Sequence, residues 1–141
     1  RHVNASADDV VVLCGSGAFI EAATRWRKVL GGQMRQAGVL AAAGLYAIEH
    51  HIERLEDDHA NAAFLARGME QLGYRITHPQ TNIFYATLEA AECAPMDEWL
   101  QTRGVRMRVT PNMRVVLHLD VSRADVEHVL TLLQDYRRHA D

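Results

Sequence analysis

The sequence has 141 residues, of which 48% are hydrophobic and 23% are charged, and its formal net charge is −3. This composition is typical of one globular domain that is long enough to bury a core. No apolar run approaches the roughly 20 residues of a membrane-spanning helix. The sequence has no basic helix face, no aromatic-interleaved strand and no high pI, which argues against a nucleic-acid-binding protein. The two cysteines, Cys14 and Cys93, form no CxxC pair, which favours reduced thiols and a cytoplasmic protein over a disulfide scaffold.

The positive charge is concentrated in two segments, residues 22–48 and 99–119, and neither contains Asp or Glu. The first includes Lys28, which is the only lysine of the chain. Two such segments either converge on a bound anion or form separate solvated faces. The spacing alone leaves both interpretations open. The cationic residues are Arg25, Arg27, Lys28 and Arg35 in the first segment, and Arg103, Arg106, Arg108 and Arg114 in the second.

The first predicted elements are a strand and a helix. Residues 10–14 (VVVLC) form a short β-branched run that a glycine-containing turn ends, as in a buried strand. Ser16 is predicted to cap a helix over residues 18–28, and the glycine pair at 31 and 32 is predicted to stop it.

Residues 34–72 carry the strongest pattern in the chain, an apolar stripe at spacings of three and four that predicts one long helix ended by Gly73. Such a helix of roughly 36 residues would be about 54 Å long, whereas a compact body of this chain length is roughly 37 Å across. The helix must therefore kink, with Gly44 as one candidate position, or extend beyond the body and need a partner. The stripe consists of Leu45, Ile48, Ile52, Leu55, His59, Ala62, Ala66 and Met69.

Shorter elements follow. Residues 74–77 and 82–88 are predicted strands, and residues 95–103 a helix that has Pro95 in its first turn and Gly104 after its end. Residues 105–109 and 113–119 alternate as a strand pair, and a capping box at 122–125 opens a helix that reaches about residue 139. The order predicts an α/β fold in which helices cover a small antiparallel sheet beside the long helix.

The spacing of most histidines matches no common metal-binding motif. His50 and His51 point to different helix faces, and His59 lies eight residues after His51, so solvated or stripe-filling histidines are expected and no metal site is predicted. His118 is predicted to be a hydrogen-bonded histidine within a strand.

Arg114 and the segment around the glycine pair are the candidate anion contacts. Arg114 begins a strand directly after a turn, where its guanidinium either grips a carboxylate bidentately over a cleft or is an ordinary surface group. Lys28 and Arg35 flank Gly31 and Gly32, which are expected to leave backbone N–H groups open to an anion.

Three stretches resemble one known family. Residues 25–48 (RWRKVLGGQMRQAGVLAAAGLYAI), 55–63 (LEDDHANAA) and 118–123 (HLDVSR) are similar to the C-terminal part of low-specificity L-threonine aldolases. These are lyases of the aspartate-aminotransferase fold that use pyridoxal phosphate as an electron sink. The resemblance implies cleavage of a small β-hydroxy amino acid, L-threonine or L-allo-threonine, to glycine and acetaldehyde. It also implies that Arg114 grips the substrate carboxylate and that Lys28 and Arg35 lie near the cofactor or a subunit interface.

The sequence also departs from that family. The family usually has three glycines where this chain has Gly31 and Gly32 followed by Gln33, and its Schiff-base lysine precedes the strand that corresponds to residues 12–14, where residues 1–10 contain no lysine. We therefore expect Lys28 to be an anion contact and the chain to hold no catalytic residue. Residues 1–33 are expected to be a remnant of the large cofactor domain, and residues 34–141 to be the C-terminal small domain.

On this interpretation the chain is part of a lyase and is inactive alone, and it either lacks an N-terminal lobe or forms a homo-oligomer. The alternative is a non-catalytic, oligomerising α/β interaction domain.

Overall fold

The computed structural model describes residues 13–140, with the backbone alone for Ala140. The chain divides into two compact units between Glu53 and Arg54. We call residues 13–53 the N-terminal unit and residues 54–140 the C-terminal unit. The predicted domain boundary after residue 33 remains a prediction. Among the described residues, no helix is both long enough and apolar enough to cross a membrane.

The N-terminal unit contains helices α1 (Gly17–Val29) and α2 (Gly38–His50). The Phe19 N–H donates to Ser16 Oγ at 3.3 Å, which confirms the predicted cap of α1. No residue of either helix is buried. The apolar side chains of α2 are therefore largely exposed, with 60% of Leu45 and 54% of Ile48 accessible to solvent.

The predicted long helix is interrupted, so the prediction of one element over residues 34–72 was wrong, although a kink was one of the two expected alternatives. Helix α2 ends at His50, and α3 (Leu55–Gln71) begins four residues after His51. The flanking residues keep right-handed helical dihedrals, with φ −112° and ψ −14° at His51 and φ −71° and ψ −12° at Arg54. The apolar periodicity consequently continues through the turn and conceals the break.

The apolar periodicity hides the break, but the sequence does contain one sign of it. Glu56, Asp57 and Asp58 lie in the first turn of α3, and carboxylates stabilise a helix N-terminus through the helix dipole. Gly44, the expected kink, lies inside α2.

The C-terminal unit contains an antiparallel sheet with strand order β1-β2-β3. The strands are β1 (Arg75–Thr77), β2 (Ile83–Thr87) and β3 (Asn112–Val116). Helix α3 packs against β1 and β2, and α5 packs against α3 and α4. The predicted α/β class with a small antiparallel sheet is thus confirmed. The two remaining helices are α4 (Ala90–Gln101) and α5 (Arg123–Ala140).

The predicted strand at 105–109 is wrong, because its backbone groups bond elsewhere. The Val105 N–H donates to the Leu100 carbonyl at 3.0 Å, and the Val109 N–H donates to Asp97 Oδ1 at 3.1 Å. Both acceptors belong to α4, so these donors tie the segment to that helix rather than to β3. Residues 105–110 are therefore irregular.

Two boundary predictions also differ from the structure. Helix α4 begins at Ala90, so Pro95 lies inside it and not in its first turn, although Gly104 ends the region as predicted with φ +84°. Of the strand predicted at 10–14, residues 10–12 lie outside the described residues, and Leu13 and Cys14 form no strand.

The capping box of α5 is confirmed. The Ser122 N–H donates to Asp125 Oδ2 at 2.9 Å, and the Asp125 N–H donates to Ser122 Oγ at 3.2 Å. Each residue thus satisfies a backbone donor that the first turn of the helix leaves free.

The core of the C-terminal unit lies where α3, α4 and α5 meet the sheet. Ala62, Ala66 and Met69 of the predicted stripe are fully buried there, whereas His59 is exposed. Gly68 lies against Leu130 of α5. The largest fully buried side chains are Phe84, Met69, Met96, Leu100, Met113, Leu133 and Val126.

Candidate functional site

Strand β3 places Arg114 on the solvent side of the sheet. Successive side chains of a strand point to opposite faces, and here Met113 and Val115 are buried while Arg114 is exposed. Arg114 pairs across the ladder with Tyr85, which is 39% exposed. The prediction that Arg114 lies in a strand next to a turn is confirmed, whereas its role as a carboxylate contact remains a prediction.

Arg114 lines a cavity of about 610 Å³ within the C-terminal unit. Residues 104–108 form one side of it, β3 and Leu117 another, and the start of α5 with the turn before it a third. Two further arginines, Arg106 and Arg108, line the same space. We call it the arginine cavity. Its apolar wall includes Val115, Leu117, Val126 and Val129, and its other polar groups are Asp120, Asp125 and His128.

Of the two acidic groups of the arginine cavity, Asp125 is hydrogen-bonded within the chain and Asp120 lies near a histidine. Asp125 accepts hydrogen bonds from the Ser122 N–H at 2.9 Å and the Ser122 hydroxyl at 2.6 Å, and these bonds lower the pKa of the Asp125 carboxyl below its ordinary value. Asp120 Oδ2 lies 3.7 Å from Nδ1 of His118.

The three arginines of the cavity have no such partner. Within the part of the chain that the structure describes, no carboxylate lies within ion-pairing distance of Arg106, Arg108 or Arg114. Three arginines and two aspartates line the cavity, so the arginines exceed the carboxylates by one positive charge. A cavity of this kind attracts an anion.

Arg103, the remaining cation of the second segment, lies elsewhere. Its guanidinium carbon is 3.3 Å from the centroid of the Trp99 ring, in a cation–π contact. Both residues line a separate cavity of about 480 Å³ between α4 and α5. The second cationic segment of the sequence thus divides between two places.

Lys28 and Arg35 belong to the N-terminal unit, and both are exposed. Lys28 lies in the last turn of α1, and Arg35 lies in the turn that precedes α2. For neither side chain does the structure show a hydrogen bond or an ion pair with another described residue. Their predicted anion contacts remain a prediction.

The expectation that Gly31 and Gly32 leave N–H groups open was wrong. The Gly31 N–H donates to the Lys28 carbonyl at 3.1 Å, and the Gly32 N–H donates to the Arg27 carbonyl at 2.8 Å. With φ +79° at Gly31, these two bonds form a Schellman motif that closes the C-terminus of α1. The glycine pair therefore ends a helix and offers no anion-binding N–H.

His118 also differs from the prediction. It follows β3 rather than lying within it, and it is exposed; its ring Nδ1 is 3.3 Å from the backbone N–H of Asp120. In residues 13–140, no group of three or more His, Cys, Asp or Glu side chains is placed to hold a metal ion.

A partly buried polar network was not predicted from the sequence. The Tyr74 hydroxyl donates to Glu92 Oε1 at 3.0 Å, and Arg137 Nη1 lies 3.5 Å from the same oxygen. Arg137 also stacks on the Tyr74 ring with its guanidinium carbon 4.3 Å from the centroid. The three residues join the end of α3, α4 and α5, and no local motif marks them, because each lies on a different element.

The chain is similar to known lyases. Residues 9–91 match the family model of the beta-eliminating lyases. The low-specificity L-threonine aldolase of Escherichia coli (strain K12) is 39% identical over 118 residues, which are 84% of this chain and 35% of that protein. Probable low-specificity L-threonine aldolase 2 of Arabidopsis thaliana is 38% identical over 131 residues, 87% of this chain and 37% of that protein. The low specificity L-threonine aldolase of Saccharomyces cerevisiae is 33% identical over 121 residues, 84% of this chain and 31% of that protein. This chain spans about a third of the length of these relatives.

Proposed function

The chain belongs to the beta-eliminating lyase family, and from this premise we propose that it contributes substrate-binding residues to a lyase of the L-threonine aldolase type. The proposed substrate is a small β-hydroxy amino acid, which is cleaved to glycine and an aldehyde. The observation that carries the proposal is the arginine cavity, where Arg114 is exposed on β3 without a carboxylate partner in the described residues. The cytoplasm is the proposed compartment, on the sequence alone.

In this proposal Arg114 binds the α-carboxylate of the amino acid. A guanidinium presents two parallel N–H donors that match the two oxygens of a carboxylate. Hydrogen bonds to charged groups contribute roughly 1.5–3 kcal/mol. Removal of the group should therefore weaken binding at least tenfold, since 1.4 kcal/mol corresponds to a factor of ten.

Pyridoxal phosphate is the cofactor that the family implies, and when bound it supplies an electron sink for the carbanion left by bond cleavage. Lys28 and Arg35 fit a contact with its phosphate, because both are exposed cations without a partner among the described residues. The backbone around Gly31 and Gly32 does not fit such a contact, since its N–H groups are used inside α1. An alternative role for the two cations is a contact at a subunit interface.

This cofactor role is tested by equilibrium dialysis of pyridoxal phosphate against the protein. We expect Lys28→Gln and Arg35→Gln to lower the affinity severalfold, and Arg27→Gln, which removes a cation from the same helix, to have no effect. An equal loss in all three variants would mean that only net charge matters, and would contradict the assignment.

We further propose that Lys28 makes a charge contact and no covalent bond to the cofactor, so that the 141-residue chain does not release glycine from L-threonine. Lys28 is the only lysine available, which makes the test direct. Borohydride reduction in the presence of pyridoxal phosphate, followed by peptide mapping, should label Lys28 no faster than free Nα-acetyl-lysine. Stoichiometric labelling of Lys28 together with glycine release would refute this part of the proposal.

The role of Arg114 is tested by titrating L-threonine into the isotope-labelled chain and following its amide resonances. We expect Arg114→Gln to weaken binding at least tenfold. The matched control is Arg67→Gln, because Arg67 is exposed on α3 and does not line the arginine cavity. Equal affinity in the Arg114 variant and the parent would overturn the proposed function.

A second candidate function, self-association, rests on the exposed part of the apolar stripe. Ile52 is 58% exposed and Leu55 is 42% exposed, although Ala62, Ala66 and Met69 of the same stripe are buried in the core of the C-terminal unit. Sedimentation should then show an oligomer that Ile52→Asp and Leu55→Asp dissociate. An assembly unchanged by both substitutions would exclude this candidate, and only the lyase proposal expects Arg114→Gln to affect amino-acid binding.

A further inference from the structure

The arginine cavity holds more cationic groups than one amino-acid carboxylate can engage. A carboxylate has two oxygens, which one guanidinium fork satisfies. If Arg114 binds the α-carboxylate, as proposed above, Arg106 and Arg108 remain in the same cavity without a direct ion pair to a described residue. The two aspartates of the lining contribute negative charge, but neither forms an ion pair with Arg106 or Arg108; Asp125 is bonded to Ser122, and Asp120 approaches His118.

The local chain conformation explains why these two arginines face the same space. In an extended segment, residues two apart point to the same side. Val105, Met107 and Val109 are half-buried or buried, whereas Arg106 and Arg108 are exposed. The bonds from the Val105 and Val109 N–H groups to α4 hold the ends of the segment in place. Arg106 and Arg108 therefore lie on the exposed side of this segment, and both line the cavity.

We propose that the ligand of the arginine cavity is an amino acid with a second carboxylate on its side chain, bound by Arg106 and Arg108 while Arg114 binds the α-carboxylate. This inference rests on the proposed function and specifies its substrate class. The three arginines are exposed, so the selection should weaken as the ionic strength rises. A neutral side chain, such as that of threonine, leaves two of the three guanidiniums unpaired.

The test compares three probes on the full 141-residue chain at fixed ionic strength: 3-hydroxyaspartate, L-threonine and inorganic phosphate. Amide resonances report binding in each titration. We expect 3-hydroxyaspartate to bind about tenfold more tightly than L-threonine, which corresponds to about 1.4 kcal/mol. The double variant Arg106→Gln/Arg108→Gln should reduce this ratio to about one, while the control Arg67→Gln should preserve it.

The outcomes separate the inference from the proposed function. If the double variant keeps the tenfold ratio, or if phosphate binds as tightly as 3-hydroxyaspartate, the second-carboxylate site is refuted, and the Arg114→Gln result still decides the proposed function. If Arg114→Gln weakens neither amino acid, the proposed function fails first and the inference fails with it. Selective loss of 3-hydroxyaspartate affinity in the double variant, with loss of both amino acids in Arg114→Gln, supports both.

Discussion

Gly68 is the position where the described packing makes its sharpest stability prediction. It lies in α3 against α5, and a Cβ added there would lie 2.1 Å from Cδ2, 2.2 Å from Cδ1 and 2.9 Å from Cγ of Leu130. Carbon atoms in contact are about 3.5–4.0 Å apart. Leu130 is only 7% exposed, so its side chain cannot turn into solvent without disturbing the core. Gly68→Ala should therefore destabilise the C-terminal unit.

Two opposing contributions set the magnitude. Alanine is favoured over glycine inside a helix by about 1 kcal/mol, whereas overpacking a core costs about 1–3 kcal/mol. Because two methyl carbons overlap by more than an ångström, we expect the upper part of that range and a net loss of about 1–2 kcal/mol. For a unit of this size the loss corresponds to a decrease in Tm of roughly 4–16 °C. Urea and thermal unfolding, followed by circular dichroism, measure it directly.

A double-mutant cycle with Leu130→Ala distinguishes this clash from a general effect on the helix. Leu130→Ala alone should cost about 2–5 kcal/mol through the cavity it leaves. In that background the obstructing carbons are absent, so Gly68→Ala should change sign and stabilise by about 1 kcal/mol. The control Arg67→Ala, at the exposed neighbouring position, should change stability by less than about 0.5 kcal/mol. A destabilising Gly68→Ala in both backgrounds, or a neutral one in the parent, would refute the described contact between α3 and α5.

Three further predictions concern single contacts. Tyr74→Phe removes the hydrogen bond to Glu92 and should cost about 1 kcal/mol at neutral pH. Burial and the nearby Glu92 carboxylate raise the pKa of Tyr74, so the unfolded chain releases this proton first and the parent should lose stability as pH rises above the ordinary tyrosine value of 10.0. Urea titrations at neutral and alkaline pH should show a smaller alkaline loss in Tyr74→Phe, and an equal loss would contradict the assignment. Ser122→Ala removes the cap of α5 and should cost about 1 kcal/mol. The Ser122 bonds lower the pKa of Asp125. The parent therefore has the stabilisation from these bonds above the ordinary aspartate pKa of 3.8 and loses it as the pH falls through the lowered pKa. If Ser122→Ala leaves the dependence of stability on acid pH unchanged, the bond is contradicted. Pro95→Ala restores a backbone donor inside α4 and should raise stability by about 1–2 kcal/mol, after allowance for the lost rigidity of proline in the unfolded chain; a lower Tm would show that Pro95 is needed for packing.

The elements that were predicted correctly are those whose signals are local. The cap and start of α5 follow from Ser122 and Asp125, which bond to each other across a single turn. The end of α1 follows from Gly31, whose positive φ few other residues adopt. In both cases the residues that decide the structure lie within five positions of one another, so the sequence contains the whole cause.

The wrong predictions depend on hydrogen-bond acceptors that the residue pattern does not specify, or on backbone geometry that periodicity cannot reveal. The alternation of residues 105–109 is that of a strand, but the donors that would join a sheet bond instead to Leu100 and Asp97. The break after α2 keeps helical dihedrals at His51 and Arg54, so the apolar stripe crosses it unchanged. In each case the pattern is present in the sequence. It does not determine which acceptors the backbone N–H groups bond to or where a helix breaks.

The charge pattern of the sequence identified the arginines of the candidate site only in part, for the same reason. Composition identifies residues 99–119 as cationic, but it treats their four arginines as equivalent. Arg103 follows the end of α4 and stacks on Trp99 of that helix, which keeps it out of the arginine cavity. The cavity is lined by Arg106, Arg108 and Arg114 together with apolar neighbours that include Val105, Met107 and Val115. Position in the fold therefore separates Arg103 from the other three arginines, and the packing of α5 beside residues 104–108 and β3 makes the space that those three share.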